Sequence, residues 1–225
     1  MISRRSKEIF FTLMGSPMKL NGIFYRRFRA PHAGIVKAHL GPGKGKYLVN
    51  WINVDANCFT AKCDVWTDLR CALPFPDLTV DVFYSHHMIE HLPDYLLDFH
   101  FTEMYRCLKP GGCIRVACPN GDVAIQKFIE GDKEWFGDWP DKRKSIGGRF
   151  VNFLLCGNEH MTILTSSYIQ ELASAAGFIK FVQCRPRFET HYPLLIDTRV
   201  LETEQEKPNR EFPDTLVIEC QKPII

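Results

Sequence analysis

Gly41, Gly43 and Gly45 stand at alternate positions in "AHLGPGKGKYLVNWINVD", and Asp55 closes that stretch. Three glycines after an apolar run make a loop whose backbone can approach a ligand closely, because no Cβ intervenes. An acid at the tip of a following strand can accept from two ribose hydroxyls. A dinucleotide site would need G-x-G-x-x-G opening a helix, whose N-terminus takes the pyrophosphate. Here the pattern is G-x-G-x-G, and the spacer before "WINVD" leaves no room for a helix. A ligand with ribose hydroxyls and no pyrophosphate fits better, and S-adenosylmethionine is the commonest such cofactor.

The second reactive group is histidine. His86 and His87 end the apolar run "TVDVFYS", and strand alternation sends them to opposite faces, so that one faces the site. His160, with Glu159, precedes the last large helical stretch. Each could take a proton from an acceptor hydroxyl. His91 reads as a structural or hinge residue and His100 as surface or packing. No metal site is expected. His87 and His91 are four apart, which suits a helix, but no complementary Cys or His pair has a recognisable spacing.

These residues need a scaffold. From Ile35 onward short apolar runs alternate with helical patterns. "IVKAHL", "WINVD", "CDVW", "TVDVFYS", "CIRVACP", "IKFVQC" and "TLVIECQ" read as strands. A helix is expected from Pro93 to about Leu108, ended by a turn at Pro110-Gly111. A second runs through "SSYIQELASAAGF", with Ser167 and Gln170 as a capping box and Gly177 as its C-cap. The expected fold is α/β: a Rossmann-like, doubly wound, mostly parallel sheet of about seven strands in three αβα layers. Ligands then sit beyond the carboxyl ends of the strands, where Gly41–Gly45, Asp55, Asp68, Ser85–His87 and Pro119–Asp122 all fall. Asp77 and Asp81 read as turn and strand-edge residues.

The chain has 225 residues, 45% of them hydrophobic, and a net charge of +2. That supports one sizeable core and argues against a polycation seeking nucleic acid. Residues 1–30 form a basic amphipathic arm, with seven basic residues against one acid, interleaved with Phe10, Phe11, Leu13, Ile23, Phe24, Tyr25 and Phe28. It could pack on the domain of residues 31–225, cover a ligand, or touch an anionic membrane surface. Nine cysteines, an odd number with no CxxC spacing, read as reduced thiols of a cytoplasmic protein. No apolar run reaches the ~20 residues of a membrane span. Trp135, Phe136, Trp139 and Phe150 enrich the insert from Asp132 to Gly157, for packing or for stacking on a ring.

"HLGPGKGKYLVNWINVD", "TDLRCALPFPDLTVDVFYSHHMIEHL", "EMYRCLKPGGCIRVACPN" and "EHMTILTSSYIQELASAAGF" together resemble the class I S-adenosylmethionine-dependent methyltransferases. The likeness is greatest to the type 11-like branch associated with glycan and cell-envelope synthesis. It implies S-adenosylmethionine as cofactor and a small-molecule or glycan acceptor, methylated on O or N. It also implies that Gly41 and Gly43 pass under the methionine end, with Gly45 a further cofactor-binding residue, that Asp55 binds the ribose, that Asp68 and Leu69 contact adenine, and that Ser85 and His86 line the floor near the methyl. His39 stands where many relatives carry an acid, and Pro42 removes one N–H from the loop. Those departures keep open a methyltransferase-like binding protein without turnover. A nicotinamide-dependent oxidoreductase is disfavoured by the missing pyrophosphate helix.

Overall fold

The computed structural model describes residues 4–204 and 211–224. Seven strands form one sheet: β1 (Lys37–Leu40), β2 (Ile52–Asp55), β3 (Val65–Trp66), β4 (Val80–His86), β5 (Leu108–Pro119), β6 (Ile179–Cys184) and β7 (Thr215–Gln221), in the order β3-β2-β1-β4-β5-β7-β6. β1 to β5 are parallel, and β7 runs antiparallel to both β5 and β6. The order reverses between β1 and β4, so their carboxyl ends flank the crevice that an open α/β sheet offers to a ligand.

Helices cover the sheet unevenly. α1 is Arg4–Phe28, α2 Leu97–Cys107, α3 Gly121–Glu130, α4 Ile146–Leu155, α5 Ser166–Ala176 and α6 Thr198–Glu202. On one face, Leu97, Phe101 and Met104 of α2 and Ile169 and Leu172 of α5 pack on Leu40, Val54, Phe83, Ile114, Val116 and Ile218. On the other, Leu48, Trp51, Ile196 and Val200 cover Val82, Tyr84 and Cys113. Strand alternation explains the division, since Phe83 and Tyr84 are neighbours in sequence and lie on opposite faces.

Neither the β1–β2 nor the β2–β3 connection contains a helix. Asn53, fully buried in β2, does the work of one in the first connection. Its Oδ1 accepts from the Leu48 N–H at 3.0 Å, and its Nδ2 donates to the carbonyls of Leu48 and Trp51, each at 2.9 Å. The loop is folded back on the strand, and its polar backbone is satisfied where no helix supplies partners.

The second face also carries a buried ion cluster. Arg115 of β5 lies directly across from Glu219 of β7 in the antiparallel ladder. Its guanidinium donates to Glu219 Oε1 at 2.6 Å and, through Nε and Nη2, to the two oxygens of Glu204 at 2.7 and 2.8 Å. The backbone N–H groups of Arg187 and His191 donate to the same carboxylates. These bonds tie the segment between β6 and β7 to the sheet.

Three local expectations are corrected. α5 is capped by Thr165, whose hydroxyl accepts from the Tyr168 N–H, and not by Ser167. The hydroxyl nearest the apolar stripe is not the one whose backbone turns extended. α3 and α4 were not anticipated, because glycines and charges interrupt their apolar pattern, although Asn120 and Ser145 cap them. β5 begins at Leu108 and takes in the Pro110-Gly111 turn, where Gly111 has φ +80°.

α1 packs on β3 through Met18, Asn21 and Gly22. The Asn21 amide donates to the Trp66 carbonyl at 2.7 Å, and the Thr67 hydroxyl to the Met18 carbonyl at 3.1 Å. Ile9, Leu13, Leu20, Ile23, Phe24 and Phe28 stay exposed. The arm's basic side chains at Arg4, Arg5 and Lys7 lie outside the described residues. No described helix is long and apolar enough to cross a membrane, and the cysteines are thiols, five of them buried in the sheet and α2 rather than paired as a disulfide scaffold.

Candidate active site

The carboxyl ends of β1, β2 and β4 bring the glycine loop, Asp55, Ser85 and His86 to one edge of the sheet. Gly41, Gly43 and Gly45 have φ of +69°, +57° and +81°, left-handed values that favour glycine. A Cβ at Gly41 would collide with the Met88 side chain, so Met88 packs directly on that backbone. At Gly43 and Gly45 nothing lies within 4 Å of where a Cβ would stand, leaving open space above the loop.

Asp55 is buried. Its Oδ2 accepts from the Gly43 N–H at 2.9 Å and its Oδ1 from the Asn57 N–H at 2.7 Å. Burial raises its pKa, while the N–H groups of Asn57, Gly43 and Ala56 act to lower it. Each oxygen keeps a further lone pair for a hydroxyl. Asp68 is held by Arg70, whose Nε and Nη2 reach its carboxylate at 2.9 and 2.7 Å. Leu69 is buried beside Met88 in the main core. The aromatic ring of Phe11 in α1 lies 3.8 Å from the Arg70 guanidinium, so the arm borders this end of the crevice.

Ser85 Oγ and His86 Nε2 are buried polar atoms with no hydrogen-bond partner in the protein. Both belong to the carboxyl end of β4, between β1 and β5, and a buried polar atom of this kind calls for a ligand or water. Lys46 stands over His86, with Nζ 2.7 Å from Nδ1. An ammonium can only donate, so the neutral ring carries its hydrogen on Nε2, the buried nitrogen left without a partner in the protein. Burial, then the charges of His87 and Lys46, hold the His86 pKa well below the usual histidine range. Burial lowers that of Lys46 too, against the pull of Glu90 and Glu204.

His87 does not continue the strand. Its φ is +50°, and that left-handed turn breaks the alternation expected of the pair. The two rings meet edge to face at 4.5 Å between centroids, instead of lying on opposite sides of the sheet. His87 Nδ1 is 3.0 Å from Oε1 of Glu90, a carboxylate buried to 1% exposure. Burial acts to raise the Glu90 pKa, but the His87 hydrogen bond and the neighbouring histidines outweigh it, and the net shift is downward. His160 arrives from the segment before α5, with Nε2 3.9 Å from Glu90 Oε1. Burial lowers its pKa, with Glu90 opposing.

Lys46, Asn53, Met88 and Glu90 escaped the sequence reading. Only Glu90 had a local signal, three residues after His87 and so within reach of it across one turn. Asp77 pairs with Arg106 on the surface, and Asp81 accepts from the Val36 N–H at the amino end of β4, as turn and strand-end residues do. The aromatic insert packs on itself, with Trp135, Phe150 and Phe153 around Phe136, while Trp139 is exposed. Two hollows of about 430 and 580 Å³ lie elsewhere, one beside Val151 and Asn152 and the other beside Asn120, Cys184 and Thr215, where β5 and β6 end and β7 begins. Neither is lined by Gly43, Asp55 or His86. The crevice itself is narrowed by Met88 and Lys46.

Residues 54–116 match the family described as a methyltransferase domain. The structure resembles an S-adenosylmethionine-dependent methyltransferase from Archaeoglobus fulgidus at 15% identity and a TM-score of 0.51, covering 94% of this chain and 99% of that one. It also resembles a methyltransferase from Thermotoga maritima described as a possible histamine N-methyltransferase, at 17% identity and a TM-score of 0.52, covering 97% and 95%. A third likeness is phosphoethanolamine N-methyltransferase 2 from Haemonchus contortus, solved with S-adenosylmethionine. There the identity is 15% and the TM-score 0.50, over 98% of this chain and 57% of that one. No curated protein matches the sequence. At these identities the structures speak for the fold. Beyond the fold, the matched segment alone speaks for methyl transfer.

Proposed function

We propose that this chain moves a methyl group from S-adenosylmethionine to a hydroxyl of a small-molecule or glycan acceptor, at the carboxyl end of β4. The observation that carries the reading is the juxtaposition of two devices there. One is a cofactor floor: open space over Gly43 and Gly45, the Asp55 carboxylate, and the unpartnered Ser85 Oγ and His86 Nε2. The other is the His87–Glu90 pair beside it.

S-adenosylmethionine supplies a methyl on a sulfonium sulfur, open to in-line attack. Asp55 receives the ribose hydroxyls, and Asp68 and Leu69 border the adenine side. Met88 and Lys46 move aside as the crevice fills. The Glu90 carboxylate accepts from His87 Nδ1–H, which leaves the lone pair on Nε2 and fixes the ring's tautomer, as an orienting acid does for a histidine base. His87 Nε2 takes the acceptor's proton as the new carbon–oxygen bond forms and the carbon–sulfur bond breaks. His86, with its hydrogen on Nε2, donates to the bound ligands. His160 closes the acceptor side. The exposed apolar residues of α1 and its basic composition favour contact with an anionic surface next to the adenine end.

Calorimetric titration with S-adenosylmethionine, followed by an acceptor panel divided into hydroxyl and amine compounds, tests the reading. Saturable binding and methyl transfer to hydroxyls are expected. Transfer to amines alone would overturn the oxygen assignment, and absence of binding would overturn the whole.

A further inference from the structure

Glu90, His91 and His160 converge from two parts of the chain 69 residues apart. A carboxylate oxygen and one ring nitrogen from each histidine lie within 4.8 Å of one another. The frame around them is pinned. The Met161 and Thr162 N–H groups donate to the Glu90 carbonyl at 2.7 and 3.2 Å, and the Thr162 hydroxyl to the Leu92 carbonyl at 2.9 Å.

The hydrogen bonds fix which nitrogen of each ring carries its hydrogen. His91 Nδ1 is 2.9 Å from the Glu159 carbonyl, and His160 Nδ1 is 2.8 Å from the Leu154 carbonyl. A carbonyl can only accept, so each neutral ring carries its hydrogen on Nδ1 and its lone pair on Nε2. An imidazole that donates one N–H to a backbone carbonyl and turns the other nitrogen inward is the usual setting of a metal-bound histidine. His160 Nε2 therefore stands 3.9 Å from Glu90 Oε1 with no hydrogen of its own to share. Glu90 Oε2 is buried and has no hydrogen-bond partner in the protein. Two acceptors facing each other, beside an unsatisfied carboxylate oxygen, form a set that a cation would complete.

We propose that Glu90, His91 and His160 form a binding site for a divalent transition-metal ion. Two imidazoles and one carboxylate suit Zn²⁺, Mn²⁺, Fe²⁺ or Co²⁺ better than Mg²⁺ or Ca²⁺, which take oxygen ligands. Ligands ~2.1 Å from a tetrahedral ion stand ~3.4 Å apart, so side-chain rotations closing the set by about 1 Å seat the ion. His87 keeps its bond to Oε1 while Oε2 turns to the metal. Three protein ligands leave a position open. On the function proposed above, which this step rests on, that position takes the acceptor's oxygen and makes its proton easier to remove. His87 stands on the same carboxylate to receive it. The sequence sets a metal aside because His87 and His91 have no complementary Cys or His pair at a recognisable spacing; the fold brings His160 to Glu90 and His91.

The test uses the full chain, freed of metal with a chelator and titrated with Co²⁺, whose visible absorption reports coordination. One equivalent with a nitrogen–oxygen spectrum is expected. His91→Ala and His160→Gln should each weaken binding at least tenfold while leaving calorimetric S-adenosylmethionine affinity within twofold. That retained affinity, with an unchanged thermal melt, shows the variants are folded. If either fails to fold, His91→Asn or His160→Asn takes its place. The proposal is overturned if Co²⁺ does not saturate up to the millimolar range, if the variants bind as the parent does, or if an intense near-ultraviolet thiolate band assigns the ion to cysteine. Co²⁺ binding without S-adenosylmethionine binding would sink the methyltransferase reading and leave the metal site standing; the converse would do the opposite.

Discussion

His87 Nδ1 and Glu90 Oε1 are 3.0 Å apart, and the carboxylate is buried while the ring reaches the surface. The pair is a buried acid holding an accessible histidine by one nitrogen, so the other is free to work. His87→Gln keeps the size but loses the base, and should lower turnover by about 10²–10⁴-fold with cofactor affinity retained. Glu90→Gln should lower turnover as well, because an amide no longer holds one tautomer. Single-turnover rates and calorimetry, read together on each variant, decide this. Full turnover in His87→Gln would remove the base.

Asp55 sits at the tip of β2 with one lone pair on each oxygen uncommitted to the loop. Two charge-assisted bonds to a ribose are each worth about 1.5–3 kcal/mol. Asp55→Ala should therefore weaken S-adenosylmethionine binding at least about tenfold, while Asp77→Ala, on the surface, should not. Equal affinities for the parent and Asp55→Ala in calorimetry would end the ribose assignment. Asp55→Asn provides a check on the loop, since its amide oxygen can still accept from one N–H.

Arg115 is fully buried between Glu204 and Glu219. Arg115→Met leaves two buried carboxylates without a counter-charge and should cost about 3–5 kcal/mol. Adding Glu204→Gln and Glu219→Gln should recover part of that loss, because the repulsion goes with the charges. Urea midpoints for the single and triple variants measure both steps. A single variant as stable as the parent would mean that the cluster contributes nothing net.

Burial lowers the pKa of His39 and of His100 to about 4 each. Unfolded histidine titrates near ~6.5. The unfolded chain therefore binds more protons between those values, and the contribution of these residues is complete above about 6.5 and lost as the pH falls towards 4. The slope is at most ~1.4 kcal/mol per pH unit per group. Urea unfolding at several pH values in that window should show it, and His100→Leu should flatten it. A stability independent of pH there would contradict the burial of both rings.

The sequence by itself carried whatever depends on near neighbours. "TVDVFYS" reads as a buried strand because its valines, Phe83 and Tyr84 are β-formers that place apolar side chains on both faces. Gly41, Gly43 and Gly45 read as a loop because glycine alone lets the backbone approach a ligand with no Cβ between, and Asp55 follows at the next strand tip. The lack of a helix between β1 and β2 was visible in the short spacer. The alternation of patterns gave an α/β sheet and the edge where ligands gather.

Only the tertiary structure placed β7 between β5 and β6, antiparallel to both, because strand order depends on which edges pair and no local pattern records that. It set Asn53 against the loop it holds, laid Lys46 on His86, and put Met88 over Gly41. It turned His87 left-handed towards Glu90, where alternation alone would have sent it to the far face. It brought His160 across 69 residues to Glu90 and His91. Hydrogen bonds and lone pairs act over about 3 Å, so what a histidine does is decided by the atoms that folding sets beside it, which spacing along the chain does not specify.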